Sequence, residues 1–133
     1  MPDGTVRAEA GLEVEGLSVA YRARGGWLQA LDGVSLAVPP GGVLGLVGES
    51  GSGKSTVVLA LLGLLDARVT GRMGFAGHDL VREAAALRGR RIGVVFQDTA
   101  AALNPALTVG AQIIEPMMLH LRGSSGRMTR RAA

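Results

Sequence analysis

Cysteine is absent from the 133-residue chain, and aromatic residues make up only 3% of it. Without cysteine the chain has no disulfide, no thiolate metal ligand and no cysteine nucleophile, a composition that suits the cytosol. The 47% hydrophobic content predicts a folded core. Because aromatic residues are so scarce, that core must consist mostly of Val, Leu, Ile and Ala. We expect one modest domain or part of one.

Long hydrophobic runs are missing as well. The longest apolar run, residues 57–65, is far shorter than the roughly 20 residues that a membrane helix needs. Residues 1–11 contain an early acid and no apolar centre, so they do not resemble a secretory signal. We therefore expect a soluble chain, whose membrane role, if it has one, depends on a partner.

Lysine is nearly absent too. All but one of the 14 Lys and Arg residues are arginine, and the net charge is +3. A genome rich in Arg, Ala and Gly codons explains the arginine excess. The exception, Lys54, is informative because lysine is a compact point charge and arginine a broad planar fork. A lysine kept at this position indicates a steric demand, as in a phosphate nest closed around the side chain.

Lys54 lies in a glycine-rich stretch, residues 48–56, with the sequence GESGSGKST. Together with Gly48, Gly53 and Ser55 it satisfies the phosphate-loop pattern G-x-x-x-x-G-K-[ST]. The mechanism also requires a strand before the loop and a helix after it. The alternative is a glycine-rich strand-to-helix turn that carries an exposed lysine.

Each residue type in this loop suits phosphate binding. Glycine at 48, 51 and 53 allows successive backbone N–H groups to surround a phosphate, and the following helix adds its positive end. Lys54 would reach the outer phosphates, the Ser55 hydroxyl would ligate magnesium, and Thr56 would add a hydroxyl near the inner phosphates. The sequence therefore predicts a nucleotide site.

Hydrophobic periodicity predicts two antiparallel strands early in the chain. The first lies within residues 12–21 and carries a bulge at Gly16, and the second covers residues 34–38. A glycine-rich turn at residues 25–26 separates them, and residues 39–42 form a further turn.

Two later segments, residues 43–47 and 92–96, are apolar without alternation, which predicts strands of a parallel sheet buried on both faces. Residues 54–65 predict a helix that is apolar almost all round, with Val58, Leu61, Leu62 and Leu65 at helical spacing. Such a helix belongs inside a larger body.

The rest of the chain predicts short elements. Residues 68–80 indicate a turn, a strand and another turn, and residues 82–91 a short helix. A turn at Asn104 and Pro105 precedes a helix from about Val109 to His120.

In this order the segments resemble the N-terminal part of an ABC transporter ATPase, most closely the ATP-binding subunits of bacterial dipeptide, oligopeptide and nickel importers. The resemblance runs from about residue 12 to residue 121. It is carried by Glu49-Ser50 in the loop, by Phe96-Gln97-Asp98, and by Leu103-Asn104-Pro105 before Leu107-Thr108-Val109-Gly110. One departure is Thr99, where the peptide-importer pattern has proline.

The resemblance implies a partial α/β core of the P-loop NTPase type, as in ABC ATPases, with an N-terminal antiparallel β layer. It divides the chain into an N-terminal extension (1–11), the N-terminal part of the nucleotide-binding domain (12–121) and the truncated start of a helical subdomain (122–133).

The resemblance also implies roles for single residues. Tyr21 would stack on adenine, and Gln97 would contact the magnesium ion and the attacking water. By position alone, Tyr21 is more simply explained as a tyrosine at the edge of the core, and Gln97 as a solvated loop residue. The implied nucleotide-binding set is Tyr21, Gly48, Glu49, Ser50, Gly51, Ser52, Gly53, Lys54, Ser55 and Thr56, and the implied magnesium contacts are Ser55 and Gln97.

The implied cofactors are ATP and Mg²⁺. The implied partners are a membrane permease, contacted by the segment from Gln97 to Glu115, a second ATPase subunit in a homo- or heterodimer, and indirectly a solute-binding protein, without nucleic acid. The implied location is the cytoplasmic face of the cell membrane, reached through the permease. For Ile113, Ile114, Met117 and Met118, ordinary core packing is the simpler interpretation.

Several family motifs do not occur in these residues. No apolar strand ends in Asp-Glu, no Leu-Ser-Gly-Gly signature is present, and neither His78 nor His120 follows such a strand. An Asp-Glu pair would supply the magnesium carboxylate and the base that orients water. We therefore expect that the chain alone does not turn over ATP, and we expect both histidines at the surface.

Three alternatives stay open on the sequence. The chain could be a complete short protein that binds nucleotide or the permease without catalysis. It could be a small P-loop kinase or GTPase, although no Asn-Lys-x-Asp motif is present. It could bind nucleic acid through Arg122, Arg127, Arg130 and Arg131, although that stretch lacks aromatic partners.

Overall fold

The structure, a computed structural model, describes residues 11–98 and 103–120. The chain forms two compact units, Met1–Ala86 and Leu87–Ala133, and each is described by itself. The predicted extension at residues 1–10, Thr99 and the arginines beyond residue 121 lie outside the described residues.

A four-stranded antiparallel sheet dominates the first unit, with strand order β2-β1-β3-β4. Its strands are β1 (Leu12–Ala23), β2 (Gly26–Val38), β3 (Arg68–Phe75) and β4 (His78–Asp79). The first two strands form a long hairpin, in which pairing extends from Leu12 opposite Val38 to Ala23 opposite Gly26. The predicted early antiparallel layer is therefore confirmed.

The predicted bulge is also confirmed. The pairing register of β1 shifts between Val14 and Leu17, and Gly16 between them has a φ of 60°, a conformation that glycine adopts without strain. The Gly16 N–H donates a hydrogen bond to the Ser35 hydroxyl at 2.9 Å.

Strand β2 begins at Gly26, well before the predicted start at residue 34. The register shifts again where Val19 pairs with Leu31 and Ala20 with Gln29, so that Ala30 is an extra residue. The extra residue breaks the period-two pattern, which is why the early half of the strand was not predicted.

One face of the sheet forms the core together with helix α1 (Lys54–Leu61). In β1, Leu17 and Val19 are fully buried. The other buried apolar residues of this unit are Val14, Ala20, Leu31, Val57, Ala60, Leu62, Met73, Leu80 and Ala84. As expected, the buried side chains are mostly those of Val, Leu and Ala.

Helix α1 ends at Leu61, so the prediction that it continues to Leu65 is wrong. Gly63 has a φ of 61°, and the N–H of Leu64 donates to the carbonyl of Leu59 at 3.0 Å. This is a Schellman motif, which ends a helix by turning the chain through a left-handed glycine.

The sequence predicts that α1 lies inside a larger body, and within the described residues this helix is buried on one side. Val57 and Ala60 are buried, whereas the side chain of Val58 is 42% exposed. Only one face of the helix packs against the sheet.

Short elements complete the first unit. The turn at residues 39–42 is confirmed, because the Gly42 N–H donates to the Pro39 carbonyl at 2.9 Å. Helix α2 (Leu80–Leu87) confirms the predicted short helix and starts earlier than expected. Its start is fixed by Asp79, whose Oδ1 accepts a hydrogen bond from the Val81 N–H at 2.9 Å.

The strand predicted at residues 43–47 does not form. No strand of the described residues pairs with this segment, and Val43 and Val47 are each 97% exposed. A buried parallel strand requires hydrogen-bonded neighbours on both sides. The sheet that the structure describes is antiparallel, so the predicted parallel-type sheet is wrong for this part of the chain.

The second unit also lacks its predicted strand. In residues 92–96 only Ile92 forms a bridge, to Arg88, and Val95 is 91% exposed. Helix α3 (Val109–His120) is as predicted, although Pro116 lies inside it. The turn before it is confirmed by the hydrogen bond from the Leu107 N–H to the Asn104 carbonyl at 3.1 Å.

Within residues 11–98 and 103–120, none of the helices is both long enough and apolar enough to span a bilayer.

Candidate functional site

The glycine-rich loop passes directly into α1. Gly51 and Gly53 have φ values of 80° and 90°, which residues with a side chain rarely adopt. Between them, the Ser52 N–H donates to the Glu49 carbonyl at 3.2 Å. The two glycines therefore allow a compact turn immediately before the first helical residue, Lys54.

The side chain of Lys54 closes this turn. Its Nζ donates hydrogen bonds to the carbonyl oxygens of Gly48 at 2.8 Å and Glu49 at 2.6 Å, and to the Ser52 hydroxyl at 3.1 Å. Three acceptors match the three donors of an ammonium group. The lysine is thus held over the loop that it follows.

The loop leaves no space for side chains at two of its glycines. A Cβ on Gly48 would lie 2.8 Å from the Ser52 hydroxyl oxygen and 4.0 Å from the Lys54 Nζ. A Cβ on Gly53 would lie 2.6 Å from Cδ2 of Leu31 and 3.4 Å from the Ala30 carbonyl oxygen. The loop is therefore seated against β2, a contact that the sequence motif did not predict.

The start of α1 is open toward the loop. The Val57 N–H makes the first intrahelical bond, to the Gly53 carbonyl at 3.0 Å, so the N–H groups of Lys54, Ser55 and Thr56 precede the hydrogen-bonded ladder. The first turn contains no acidic residue, which leaves the positive end of the helix dipole uncompensated. Such an end attracts anions, phosphate among them.

The remaining loop residues differ in exposure. Glu49, Ser50 and Ser55 are exposed, and Thr56 is half-buried. The exposed Ser55 hydroxyl is accessible to a ligand, as a magnesium contact requires.

Tyr21 lies on the face of the sheet that carries the loop. In β1 it alternates with Val19, which pairs with Leu31, and Leu31 is the residue that meets Gly53. Tyr21 is half-buried. A position on the loop side of the sheet is compatible with the adenine contact implied for it, which stays a prediction.

Gln97 belongs to the second unit, where it is exposed and lies in an irregular segment. Its predicted contact with magnesium and water stays a prediction. The structure describes the side chain of only one of the two histidines, His78. His78 is partly exposed and its Nδ1 lies 2.8 Å from Oε2 of Glu83, while the side chain of His120 lies outside the described part of the chain.

The sequence motifs missed one organising residue, Gln112 in α3. Its side-chain Oε1 accepts a hydrogen bond from the Asn104 N–H at 2.7 Å, and its Nε2 donates to the carbonyls of Asn104 at 3.0 Å and Leu107 at 3.1 Å. The amide therefore fastens the Asn104 turn to the helix that follows. A glutamine at i+8 from a turn asparagine gives no sequence signal of this.

The loop geometry defines a phosphate-binding loop protein, and the comparisons identify the family. A model of the family described as ABC transporter matches residues 31–133. The chain belongs to the ABC transporter family, and this membership decides against the small kinase or GTPase alternative.

The curated relatives are named as ATP-binding proteins of peptide transport. The chain is 46% identical over 129 residues to a putative peptide import ATP-binding protein of Brucella abortus (strain 2308), covering 92% of this chain and 39% of the relative. It is 41% identical over 128 residues to the dipeptide transport ATP-binding protein DppD of Escherichia coli (strain K12), covering 91% of this chain and 39% of that protein. The chain thus spans 39% of the length of these relatives.

Solved structures support the same assignment. A dimeric structure of a post-hydrolysis state of the ATP-binding cassette MJ0796, bound to ADP and Pi, matches with a TM-score of 0.78 and 26% identity over 91% of this chain and 53% of that one. The fold is therefore a partial ABC ATPase core with an N-terminal antiparallel layer.

Proposed function

We propose that the chain is the N-terminal part of an ATP-binding subunit of an ABC peptide importer, and that residues 48–56 bind Mg-ATP. One observation carries the proposal: the only lysine of the chain closes the glycine loop at the start of a helix. The family membership and the names of the relatives support it.

The residues of the loop fit a nucleotide phosphate chain. The ammonium group of Lys54 is held by neutral acceptors, so it can exchange backbone carbonyls for more strongly charged phosphate oxygens. At Gly51 an added Cβ would meet nothing within 4 Å, so the backbone of the loop is open to a ligand there. ATP would supply a phosphoanhydride whose cleavage releases free energy, with Mg²⁺ neutralising its oxygens.

Further residues complete the proposed site. We assign the Ser55 hydroxyl and Gln97 to magnesium, and Tyr21 to the adenine ring. Glu49, Ser50, Gly51, Ser52 and Thr56 contribute loop backbone or hydroxyl groups.

The proposed partners follow from the relatives' role in peptide import. A membrane permease would bind the segment from Gln97 to Glu115, and a second ATPase subunit would complete the dimer. A solute-binding protein would act indirectly, and the location would be the inner face of the cell membrane.

The first test compares nucleotide binding by the chain and two variants of Lys54. We expect Lys54→Ala to weaken Mg-ATP binding at least about tenfold, because it removes the charge-assisted contacts. Lys54→Arg should lose nearly as much, since a planar fork does not fit acceptors that surround a point charge. Arg72→Gln, which removes one positive charge far along β3, is the matched control and should leave the dissociation constant within about twofold.

Isothermal titration calorimetry with Mg-ATP measures these constants. Equal binding by the parent chain and Lys54→Ala would contradict the proposed site.

Whether the chain hydrolyses ATP is a separate question from whether it binds ATP. Because the 133 residues contain no apolar strand ending in Asp-Glu, we expect no steady phosphate release from this chain alone. Release above background that disappears in Lys54→Ala would show that this expectation is wrong, while leaving the binding proposal intact.

A further inference from the structure

A hollow of about 240 Å³ lies on the face of the sheet opposite the core. It is lined by residues of β1, β2 and β3: Ser18, Ala20, Trp27, Gln29, Arg68 and Thr70. All of them belong to the first unit.

The hollow exists because a small residue stands between large ones. Ala20 of the central strand β1 pairs directly with Gln29 on one side and Arg68 on the other. Residues that pair directly project from the same face of a sheet. Ala20 is only 7% exposed although it alternates with the core residue Val19, so its neighbours rise above it. Ala20 is the floor of the hollow, and the longer side chains are its walls.

The walls carry a guanidinium group, two hydroxyls and one amide, and no carboxylate is among the lining residues. Ser18 Oγ accepts the Gly33 N–H at 2.9 Å, so its own hydroxyl proton is available to a ligand. Arg68 contributes a guanidinium group and Thr70 a second hydroxyl. The Gln29 amide is held in place, because its Nε2 donates to the Leu31 carbonyl at 2.6 Å.

One wall is an aromatic ring. Trp27 is 58% exposed, although large aromatic side chains are normally among the most buried on average. It pairs with Arg22, which adds a second positive charge to the same face. An exposed indole beside a cationic, donor-lined hollow suits a ligand that has both a flat apolar surface and a negative charge.

We propose that this hollow binds a small aromatic carboxylate, with the ring against Trp27 and the carboxylate on Arg68 and the two hydroxyls. The site is separate from the proposed nucleotide site, because the loop contacts Leu31 on the other face of the sheet. The proposal therefore does not depend on nucleotide binding.

The chain carries its own reporter, since Trp27 is its only tryptophan. Titration with benzoate should change the Trp27 fluorescence and saturate, as binding at one site requires. Cyclohexanecarboxylate has the charge without the flat ring and should bind at least about fivefold more weakly, and acetate more weakly still. A change that is linear in benzoate, as for collisional quenching, or equal for benzoate and acetate, would overturn the proposal.

Two arginine variants distinguish binding of benzoate in the hollow from a general effect of positive charge on the sheet. Arg68→Gln should raise the benzoate dissociation constant at least about tenfold, because it removes the bidentate partner of the carboxylate. Arg72→Gln removes the same charge from the same strand and face, where Arg72 lies 3.6 Å from Glu15, and should change the constant less than about twofold. Equal effects of the two variants would contradict the proposal.

Two controls keep the result interpretable. Far-ultraviolet circular dichroism checks that each variant retains the sheet. Lys54→Ala should leave benzoate binding unchanged, so that failure of the nucleotide proposal and failure of this one are distinguishable.

Discussion

Two neighbouring apolar segments of similar composition differ in this structure, because one forms a paired strand and the other does not. Residues 34–38, VSLAV, are paired along β1, and Val34, Leu36 and Val38 are half-buried. Residues 43–47, VLGLV, form no strand, and their first and last valines are 97% exposed. Apolar character is therefore not what separates the two.

The difference lies in where the hydrogen-bond partner comes from. Residues 34–38 are the second arm of a hairpin, and their partner β1 is nearby in the chain. Residues 43–47 have no strand partner among the residues that the structure describes, and in residues 92–96 only Ile92 forms a bridge, to the nearby Arg88. An apolar run shows that a segment is suited to a buried strand, but a backbone partner is needed to form it.

The same substitution in the two kinds of segment tests this comparison most strongly. Val19→Ala removes two methyl groups from a fully buried position and should lower the free energy of unfolding by about 2 kcal/mol, from lost burial and the remaining cavity. Val47→Ala, at a position 97% exposed, should change it by less than about 0.5 kcal/mol.

Urea denaturation followed by circular dichroism measures both values. Equal losses would mean that residues 43–47 are packed in solution, and that the comparison is wrong.

The glycine loop connects the unpaired residues 43–47 to helix α1, and its two left-handed glycines differ in surroundings. An added methyl group on Gly53 would meet Leu31, whereas one on Gly51 would meet nothing within 4 Å. Both alanine variants carry backbone strain, and Gly53→Ala adds a steric clash with β2. We expect Gly53→Ala to be less stable than Gly51→Ala by about 1 kcal/mol.

Thermal or urea unfolding of the two variants side by side gives this difference, with the backbone strain common to both. If the two variants are equally stable, the loop is not seated on β2 as the structure shows.

In the second unit, hydrogen bonds from one side chain, that of Gln112, hold the backbone of the turn before α3. The Asn104 N–H donates to Oε1 of Gln112 at 2.7 Å, so Gln112→Ala should free it and raise its exchange rate with solvent about fivefold, as expected for the loss of about 1 kcal/mol. Gln112→Glu keeps an acceptor and loses the donors, so it should protect this N–H better than alanine does.

Hydrogen exchange followed by NMR measures the rate at Asn104 directly. Unchanged protection in Gln112→Ala would show that the turn is held by its own backbone bond alone.

Sequence reasoning succeeded where the determinants are local. The bulge at Gly16, the hairpin, the turn after Pro39 and helix α3 follow from periodicity and turn chemistry. It failed where a distant partner decides, as at residues 43–47. Contacts such as Leu31 against Gly53 join residues far apart in sequence, and no local pattern encodes them.

The smallest expected effect concerns the start of α2, which is held by side chains at the edge of the sheet. The pKa of Glu83 is lowered because its carboxylate accepts a hydrogen bond from His78 and another from the Asp79 N–H.

A carboxyl whose pKa is lower in the folded state stabilises the fold above its ordinary pKa of about 4.3, and this contribution is lost as the pH falls through the lowered value. Glu83→Gln should therefore flatten the decline of stability in acid, measured by urea unfolding at a series of pH values. An unchanged profile in Glu83→Gln would mean that the contact with His78 does not persist in solution. The start of α2 would then depend on the Asp79 cap alone, a bond between near neighbours like those that secure the hairpin.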